Sequence, residues 1–470
     1  MKRIIYNLII LFAVSHCSIT FSQENAQSVS GSWMGKLNVS AISLRIIFNL
    51  SAIGNDSLSV TMDSPDQGAK NIKIGPATFS NGSLRILAPM MLGEYNGTWQ
   101  NDTTITGTWK QGGQTFPLDL TRLKQQFALN RPQEPKPPFP YTETEVTVHN
   151  HTENLDLGGT LTIPKGQSPF KAAVLITGSG TQNRNEELLG HKPFLVIADR
   201  LARSGIAVLR LDDRGIGKSK GNPATSTTAD FATDISAAVD FLMKNPDIKA
   251  DGIGLIGHSE GGIIAPIVAS QKNVAFIVSL AGTGIPGDQV IFRQSADISR
   301  ASHVSEIEIE KSSAINRKIF PILKKEKDNV VASEKMVAAY KKILEKESST
   351  PEEKDKAVQQ LKASLNPASL TWLRYFISTD PATFWKKVKC PVLALNGDKD
   401  LQVAADENLP AIEKALKAGG NRSVKTMKVP GLNHLFQHSQ TGLPSEYGNI
   451  EETFSEDVLK IMSEWINGLK

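Results

Sequence analysis

Polar and apolar positions alternate in short runs between residues 28 and 123, in a stretch rich in Ser, Thr, Asn and Gly. Turn signals such as Gly54-Asn55-Asp56 and Asn81-Gly82 separate these runs. Alternation with a period of two predicts strands with one buried face, and the regular turns predict antiparallel pairing. The expected strands are Leu44–Leu50, Ser57–Met62, Ser83–Leu87, Thr103–Trp109 and Phe116–Leu120. We therefore predict a small all-β barrel or sandwich within residues 23–130.

From Ala172 onward, near-continuous apolar runs alternate with segments of helical periodicity. Continuous apolar runs are typical of parallel strands that are buried on both faces. The expected strands are Ala173–Ile176, Ala207–Leu211, Ile253–Ile256, Phe276–Leu280 and Val392–Leu395, after two earlier strands, Glu143–Val148 and Leu157–Ile163. The expected helices are Phe194–Ser204, Phe231–Met243 and Glu260–Ser270. This order predicts an α/β domain over residues 141–470, with a mostly parallel sheet covered by helices.

Two further segments complete the predicted domain plan. Residues 131–140 contain five prolines, which predicts a stiff, extended linker. Residues 288–385 interrupt the α/β alternation with Lys/Glu-rich helical sequence, including the capping box Thr350-Pro351-Glu352-Glu353. Because this segment enters between two core strands, we interpret it as a helical cap.

The N-terminal residues have the pattern of a secretory signal. Residues 1–22 begin with Lys2 and Arg3, continue with an apolar run that is too short for a comfortable membrane span, and end in small and polar residues. We therefore expect export to the periplasm or the extracellular space, with no integral membrane segment after signal removal. Lipid modification of Cys17 is a less favoured alternative, because His16 fits a small-residue lipobox poorly. Only Cys390 would remain, which excludes an intramolecular disulfide and a cysteine-based metal site.

The composition of the chain bears on its binding partners and on the size of its hydrophobic cores. A formal net charge of +4 over 470 residues gives no indication of nucleic-acid binding. A hydrophobic content of 40% is enough for substantial cores in two or three domains. The oligomeric state is left undetermined.

The candidate chemistry centres on Gly257-His258-Ser259-Glu260-Gly261-Gly262, between a predicted strand and a predicted helix. A strand, a sharp turn and a helix form the context of a G-x-S-x-G nucleophile elbow. The strained turn leaves no room for side chains two positions before and after the serine. It would hold Ser259 exposed above the sheet, beside a helix N-terminus that favours a developing negative charge.

A serine nucleophile needs a base, and the base needs an orienting acid. Asp398 and Asp400 follow the predicted strand Val392–Leu395, and His434 follows the strand-like residues 427–429. Because the carboxyl ends of parallel strands meet at one edge of a sheet, these side chains are expected near Ser259. The chain order Ser, Asp, His is the order found in α/β-hydrolases.

With these motifs, residues from about 141 to the end resemble the α/β-hydrolase superfamily. More narrowly, they resemble secreted or periplasmic carboxylesterases with a Gly-His-Ser-Glu-Gly-Gly elbow and a helical cap. The resemblance extends to Gly178-Ser179-Gly180, to Arg184-Asn185-Glu186 and to the run from Asp212 to Ser219. It implies that Ser259 is the nucleophile, that His434 is the base and that Asp400, rather than Asp398, is the triad acid.

The resemblance also implies an oxyanion hole. The backbone N–H of Glu260 would supply one donor, and the N–H of Ser179 or of Gly180 the other. Three other histidines have alternative interpretations. His258 is expected to pack against the elbow, His438 is the fallback base, and His191 is a candidate substrate contact.

Several motifs have both a structural and a functional interpretation. The Gly-x-Trp repeats at Trp33, Trp99 and Trp109 could form an aromatic ligand face, but we favour tryptophans that fill a small barrel. His149 and His151 lack a third metal ligand nearby, so a surface position is favoured. Gly217-Lys218-Ser219 lacks the earlier glycine of a phosphate loop, so we interpret Asp213 and Arg214 as a structural turn.

We therefore predict a serine carboxylesterase that hydrolyses short- to medium-chain acyl esters through an acyl-enzyme, with a small-molecule ester as its partner. No cofactor and no metal are implied. One alternative is a serine peptidase of the same fold. The other is a carbohydrate-binding protein, led by the Trp-bearing domain, with an inactive hydrolase fold.

Overall fold

The structure is a computed structural model that describes residues 25–39, 42–67, 69–125, 127, 129–365 and 367–469. The predicted signal peptide and Cys17 lie outside the described residues. The chain divides into two compact units, Met1–Ser64 with Ala69–Phe127 and Pro65–Gly68 with Ala128–Lys470. Across the described ranges, no helix is both long enough and apolar enough to cross a bilayer.

The first unit is an antiparallel barrel. After α1 (Ala26–Val29), its strands are β1 (Gly31–Val39), β2 (Ile42–Ala52), β3 (Ser57–Ser64), β4 (Ala69–Lys73), β5 (Ala77–Ser80), β6 (Ser83–Ala88), β7 (Gly93–Asn101), β8 (Thr104–Gln111), β9 (Gln114–Pro117) and β10 (Leu120–Arg122). The sheet order is β10-β1-β2-β3-β5-β6-β7-β8-β9, with β4 paired to β3. Because β10 also pairs with β8, the sheet closes on itself. This confirms the predicted small antiparallel β domain.

The predicted strand Phe116–Leu120 is wrong in one respect, because the structure divides it into β9 and β10. β9 pairs with β8, whereas β10 pairs with both β8 and β1. At the division, the Leu118 N–H donates to the carbonyl of Gly107 at 2.8 Å. Two short strands with different partners allow the chain to turn from one neighbour to the next and close the barrel.

The tryptophans of the Gly-x-Trp repeats lie in the barrel core, as we favoured. Trp33 and Trp109 are buried, and Trp99 is partly buried against the same cluster. The Trp33 indole N–H donates to the carbonyl of Val29 at 2.7 Å, and the Trp33 and Trp99 rings meet edge to face at 5.5 Å. Tryptophans placed in this way fill the barrel instead of forming an exposed aromatic ligand face.

The second unit contains an eight-stranded sheet. Its strands are β11 (Tyr141–Asn150), β12 (Leu155–Pro164), β13 (Phe170–Ile176), β14 (Ala207–Leu211), β15 (Ile248–His258), β16 (Ile277–Leu280), β17 (Val392–Gly397) and β18 (Val424–Val429). The order is β11-β12-β14-β13-β15-β16-β17-β18. The two pairings of β12 are antiparallel, and β14 through β18 pair in parallel. The predicted mostly parallel sheet is confirmed.

Helices cover the sheet and form the inserted segment. Those that flank the sheet are α2 (Pro193–Arg203), α3 (Thr228–Met243), α4 (Gly261–Ala269), α11 (Ala405–Ala418) and α12 (Glu456–Gly468). Between β16 and β17 lie α5 (Gly287–Ala301), α6 (Glu306–Lys325), α7 (Asn329–Leu344), α8 (Pro351–Ser364), α9 (Pro367–Ser378) and α10 (Ala382–Trp385). Short 3₁₀ turns occupy Pro65–Gln67, Pro89–Met91, Pro223–Thr225 and Pro444–Asn449.

Alternate residues of β13 explain why its sequence is apolar throughout. Ala172 and Val174 belong to the core cluster that contains α3, α4 and cap residues such as Val290, whereas Ala173 and Leu175 belong to the cluster that contains α2 and α12. Successive side chains of a strand point to opposite faces, so a strand between two helical layers needs apolar residues at every position.

Residues of the predicted linker 131–140 hydrogen-bond within the second unit. The Arg131 guanidinium donates to the carbonyls of Leu189, Gly190, Gly448 and Ile450 at 2.9–3.3 Å. The Gln133 side chain accepts the N–H groups of Thr453 and Phe454. These contacts hold the start of this segment against the loops that follow β13 and β18.

Candidate active site

Ser259 lies at a strained turn between β15 and α4. Its φ of +54° is a left-handed conformation that costs free energy for a residue with a side chain. The Ser259 N–H donates to the carbonyl of Leu280 at 2.9 Å, and the Ser259 carbonyl accepts the N–H of Gly262 at 2.9 Å. These bonds hold the turn, and the half-buried Ser259 lies at the carboxyl end of a central strand.

Steric crowding explains the two glycines of the elbow. A Cβ at Gly257 would lie 2.1 Å from the carbonyl oxygen of Gly261, and a Cβ at Gly261 would lie 2.2 Å from that of Ile176. Both distances are far below van der Waals contact, and both neighbouring atoms belong to the backbone. The sharp turn that we expected around Ser259 therefore requires glycine at both positions.

Asp400 and His434 meet at the same edge of the sheet. β17 and β18 run in parallel, and Gly397 lies beside Val429 at their carboxyl ends. The loops that follow bring His434 Nδ1 to 2.9 Å from Asp400 Oδ2, with both side chains buried. Such a bond orients an imidazole and leaves its Nε2 to act on another group.

Backbone donors fix the Asp400 carboxylate. Its Oδ1 accepts the N–H of Gln402 at 2.8 Å and of Val403 at 2.9 Å. Its Oδ2 accepts the Asn396 side-chain amide at 3.2 Å in addition to the imidazole. The carboxylate therefore has a defined rotamer, with one oxygen held by the loop and the other presented to His434.

The two alternative residues lie outside this arrangement. Asp398 is exposed, and its Oδ1 accepts the N–H of Gly431 at 2.6 Å, so it ties its own loop to the loop after β18. His438 is exposed and pairs with Glu452 at 2.8 Å. The structure thus brings Asp400 and His434 together, whereas Asp398 and His438 lie apart from them.

A backbone N–H can bind an oxyanion only if it does not already donate to another group of the protein. The N–H of Gly178 donates to Glu186 Oε1 at 2.7 Å, so it is occupied. Among the residues that the structure describes, the N–H groups of Ser179, Gly180 and Glu260 have no protein acceptor. Gly180 has a φ of +94°, and both Ser179 and Gly180 are exposed. All three predicted donors therefore remain available to a ligand.

Asp213 supports the loop that carries these donors. Its carboxylate accepts the hydroxyl of Thr177 and the N–H of Gln182, each at 2.8 Å. Burial raises the pKa of Asp213 to about 7, and these hydrogen bonds oppose the shift. Arg214 binds Asp234 at 2.6 Å in a buried pair. Both residues have the structural role that we expected.

His258 is the functional feature that the sequence interpretation understated. We expected packing against the elbow, whereas the structure gives both ring nitrogens a partner. His258 Nδ1 lies 2.9 Å from Glu186 Oε1, and Nε2 lies 2.9 Å from the carbonyl oxygen of His434. Glu186 belonged to a run that carried the resemblance, but no sequence signal linked it to a residue 72 positions away.

The structure does not support His191 as a candidate substrate contact. The residue is fully buried, with Nδ1 at 3.0 Å from the Thr453 hydroxyl and Nε2 at 2.9 Å from the carbonyl of Tyr447. Burial, aided by the charge of Arg131, lowers the pKa of His191 to about 4. It is a structural histidine that joins the loop before α2 to the C-terminal loops.

The cap contacts the elbow through Glu260. The side chain of Glu260 is buried, and its Oε1 accepts the indole N–H of Trp372 at 2.7 Å and the hydroxyl of Thr228 at 2.6 Å. Burial raises the pKa of this carboxyl. Farther along the cap, Arg293 binds Glu407 of α11 at 2.7 Å. The inserted helices are therefore attached beside both Ser259 and the loop that follows β17.

No metal centre is found among the described residues, where no group of three or more His, Cys, Asp or Glu side chains could hold an ion. His149 pairs with Asp156 at 2.7 Å, and its ring meets that of His151 edge to face at 4.6 Å. His149 and His151 therefore lie in the surface position that we favoured.

This chain is similar to a known protein family, to curated proteins and to solved structures. Residues 192–438, more than half of the 470 residues, match the model of the family Hydrolase_4, described as "Serine aminopeptidase, S33". Esterase EstD of Thermotoga maritima is 25% identical over 333 residues, which cover 69% of this chain and 68% of EstD. The uncharacterised protein PA2218 of Pseudomonas aeruginosa is 27% identical over 183 residues, which cover 38% of this chain and 46% of that protein. The solved structure of the Pyrococcus furiosus esterase Pf2001 has a TM-score of 0.43 and 16% identity, covering 73% of this chain and 97% of that chain.

Proposed function

The chain belongs to the Hydrolase_4 family of α/β-hydrolases, and from this premise we propose that it is a serine carboxylesterase acting on short- to medium-chain acyl esters. The observation that carries the proposal is the buried bond between Asp400 and His434 at the edge where Ser259 lies. Ser259 and His434 are linked through His258, the residue before Ser259, which binds the carbonyl of His434 at 2.9 Å. The esterase name of EstD agrees with this chemistry.

In the proposed mechanism, Ser259 Oγ attacks the ester carbonyl while His434 Nε2 takes the hydroxyl proton. Asp400 stabilises the imidazolium that forms, and the N–H groups of Glu260 and of Ser179 or Gly180 bind the oxyanion. Collapse of the tetrahedral intermediate releases the alcohol, which takes the proton from His434, and leaves an acyl-enzyme. His434 then activates a water molecule, which releases the acid and restores Ser259.

A serine peptidase is the second candidate, because the family description names a serine aminopeptidase. Both activities would use the same nucleophile, so the substrate distinguishes them. We expect hydrolysis of p-nitrophenyl acetate to decanoate and much slower hydrolysis of aminoacyl-anilides. Faster turnover of the anilides would assign the protein to the peptidases.

The nucleophile is tested by Ser259→Ala, with Ser270→Ala at the end of α4 as the matched control. We expect Ser259→Ala to lower kcat by about four to six orders of magnitude and to abolish labelling by a fluorophosphonate probe, with unchanged thermal unfolding. Ser270→Ala should keep both activity and labelling. Near-normal turnover by a clean Ser259→Ala preparation would refute the serine mechanism.

We also propose that the protein is exported, on the basis of residues 1–22. Fractionation of cells expressing the full chain is the test. Recovery of the unprocessed chain in the cytosol would contradict export without affecting the proposed chemistry.

A further inference from the structure

Three loops of the candidate site meet at one buried pair of side chains. The oxyanion loop, which follows β13 and carries the predicted donors Ser179 and Gly180, contributes Gly178. The Gly178 N–H donates to Glu186 Oε1 at 2.7 Å. The elbow contributes His258, whose Nδ1 lies 2.9 Å from the same oxygen. The loop after β18 contributes the carbonyl of His434, 2.9 Å from His258 Nε2. Glu186 and His258 are each only 5% exposed, so water cannot replace these partners freely.

The partners determine how many protons the His258 ring carries. A backbone carbonyl only accepts hydrogen bonds, so Nε2 must carry a hydrogen. An ionised carboxylate also only accepts, so Nδ1 facing Glu186 must carry a second one. A neutral imidazole has a single N–H, whereas an imidazolium has two. Glu186 Oε1 already accepts the Gly178 N–H, and a carboxylate oxygen has lone pairs enough for both donors.

We propose that Glu186 and His258 form a buried carboxylate–imidazolium pair that positions the oxyanion loop and the loop of His434 relative to Ser259. The proposal rests on the proposed serine-hydrolase function only for its kinetic consequences. In this arrangement Glu186 and His258 are positioning residues, because neither contacts the reacting atoms. Their charges hold Gly178 on one side and the His434 backbone on the other.

The charges around the pair favour the imidazolium. Burial lowers the pKa of His258, but the Glu186 carboxylate and the acceptor carbonyl raise it by more, with a smaller contribution from Asp400 after β17. Two further carboxyls lie near the pair, Asp213 after β14 and Glu260 at the start of α4. The charge of Asp213 interacts unfavourably with that of Glu186 and with that of Glu260. The His434 ring lies 4.8 Å from the His258 ring, so its own protonation opposes that of His258.

The sign of the pH dependence follows from the raised pKa. His258 keeps its charge to higher pH than an ordinary imidazole, so the proposed pair is lost as the pH rises through this raised pKa. At alkaline pH His258 loses one proton, so one of its two contacts is lost and one of the two loops is released. The pair therefore predicts an alkaline decline of kcat/KM, in addition to the acid decline expected when His434 becomes protonated.

Glu186→Gln tests the charge without removing the acceptor. The amide oxygen of the substituted side chain can still accept the Gly178 N–H, but it no longer stabilises an imidazolium. A neutral His258 with hydrogen on Nδ1 would then direct a lone pair at the His434 carbonyl. We expect kcat to fall by about 10²-fold with KM nearly unchanged, because a displacement of about 1 Å has a cost of this size. We also expect the alkaline decline to move to lower pH.

Glu452→Gln is the matched control, because Glu452 also pairs with a histidine, His438, but in an exposed position. It should leave the rate and both limbs of the pH profile unchanged. An unshifted alkaline limb in folded Glu186→Gln, or an equal shift in Glu452→Gln, would overturn the proposal.

A measurement on the unmodified protein covers the case in which Glu186→Gln does not fold. Neutron diffraction at neutral pH should show deuterium on both Nδ1 and Nε2 of His258 and none on Glu186. A single deuteron on His258, with the other on Glu186, would overturn the proposal. This readout does not require catalysis, so failure of Ser259 to react with the fluorophosphonate would refute the proposed function alone.

Discussion

Asp400→Asn is the perturbation for which the structure gives the most definite expectation. In the wild-type protein, Oδ1 accepts two backbone N–H groups and Oδ2 accepts from His434 Nδ1 and Asn396. An asparagine must keep its oxygen toward the backbone donors, because turning the amide would direct its NH₂ at two N–H groups. Its NH₂ then faces His434, which is forced into the tautomer with hydrogen on Nε2.

The wrong tautomer cannot accept the proton of Ser259. Loss of the triad carboxylate with the geometry intact lowers kcat by about 10⁴-fold in proteases with the same arrangement. At about 1.36 kcal/mol per factor of ten, this corresponds to about 5 kcal/mol of transition-state stabilisation. The NH₂ of the substituted side chain would also face the Asn396 amide, so we expect a modest loss of stability as well.

Asp398→Asn is the control for this substitution. Asp398 accepts one backbone N–H, from Gly431, at an exposed position, and an amide oxygen can do the same. We expect less than about a threefold change in kcat/KM for p-nitrophenyl acetate, since surface changes of this kind usually alter free energies by about 0.5 kcal/mol or less. The reasoning is refuted if Asp400→Asn retains activity within tenfold of wild type, or if Asp398→Asn has the larger effect.

Two further predictions concern the base and the cap. His434→Ala should abolish nearly all activity and the acid limb of kcat/KM against pH, because a neutral His434 must accept the Ser259 proton. His438→Ala should keep the wild-type pH profile. An inactive His438→Ala variant would show that the base is misassigned. Trp372 stacks on Phe376 at 5.1 Å and binds the elbow, so alanine at Trp372, Phe376 or Phe384 should change the preference for acyl length more than the turnover of acetyl esters. Curves of kcat/KM against acyl length that stay parallel to wild type would mean that the cap does not select the substrate.

The sequence alone determined the features that depend on neighbouring residues. The glycines around Ser259 are required because their side chains would meet backbone atoms of the same turn and of the adjacent strand end. Continuous apolar runs identified the buried strands, because a strand covered on both faces cannot alternate. The barrel strands with clear alternation were also predictable, whereas β9 and β10 were merged, since their different partners leave no mark on the local pattern.

Only the tertiary structure decided which distant groups meet. In the sequence, only a resemblance distinguishes Asp400 from Asp398 as the triad acid. The contact with His434 distinguishes them once the loops after β17 and β18 are in place. The contact of Trp372 with Glu260 joins residues 112 positions apart, and that of His258 with the His434 carbonyl joins residues 176 apart. Local periodicity reports which face of an element is buried. The partner of a buried polar group depends instead on how loops from separate strands converge at one edge of the sheet, and this convergence is a property of the whole packed domain.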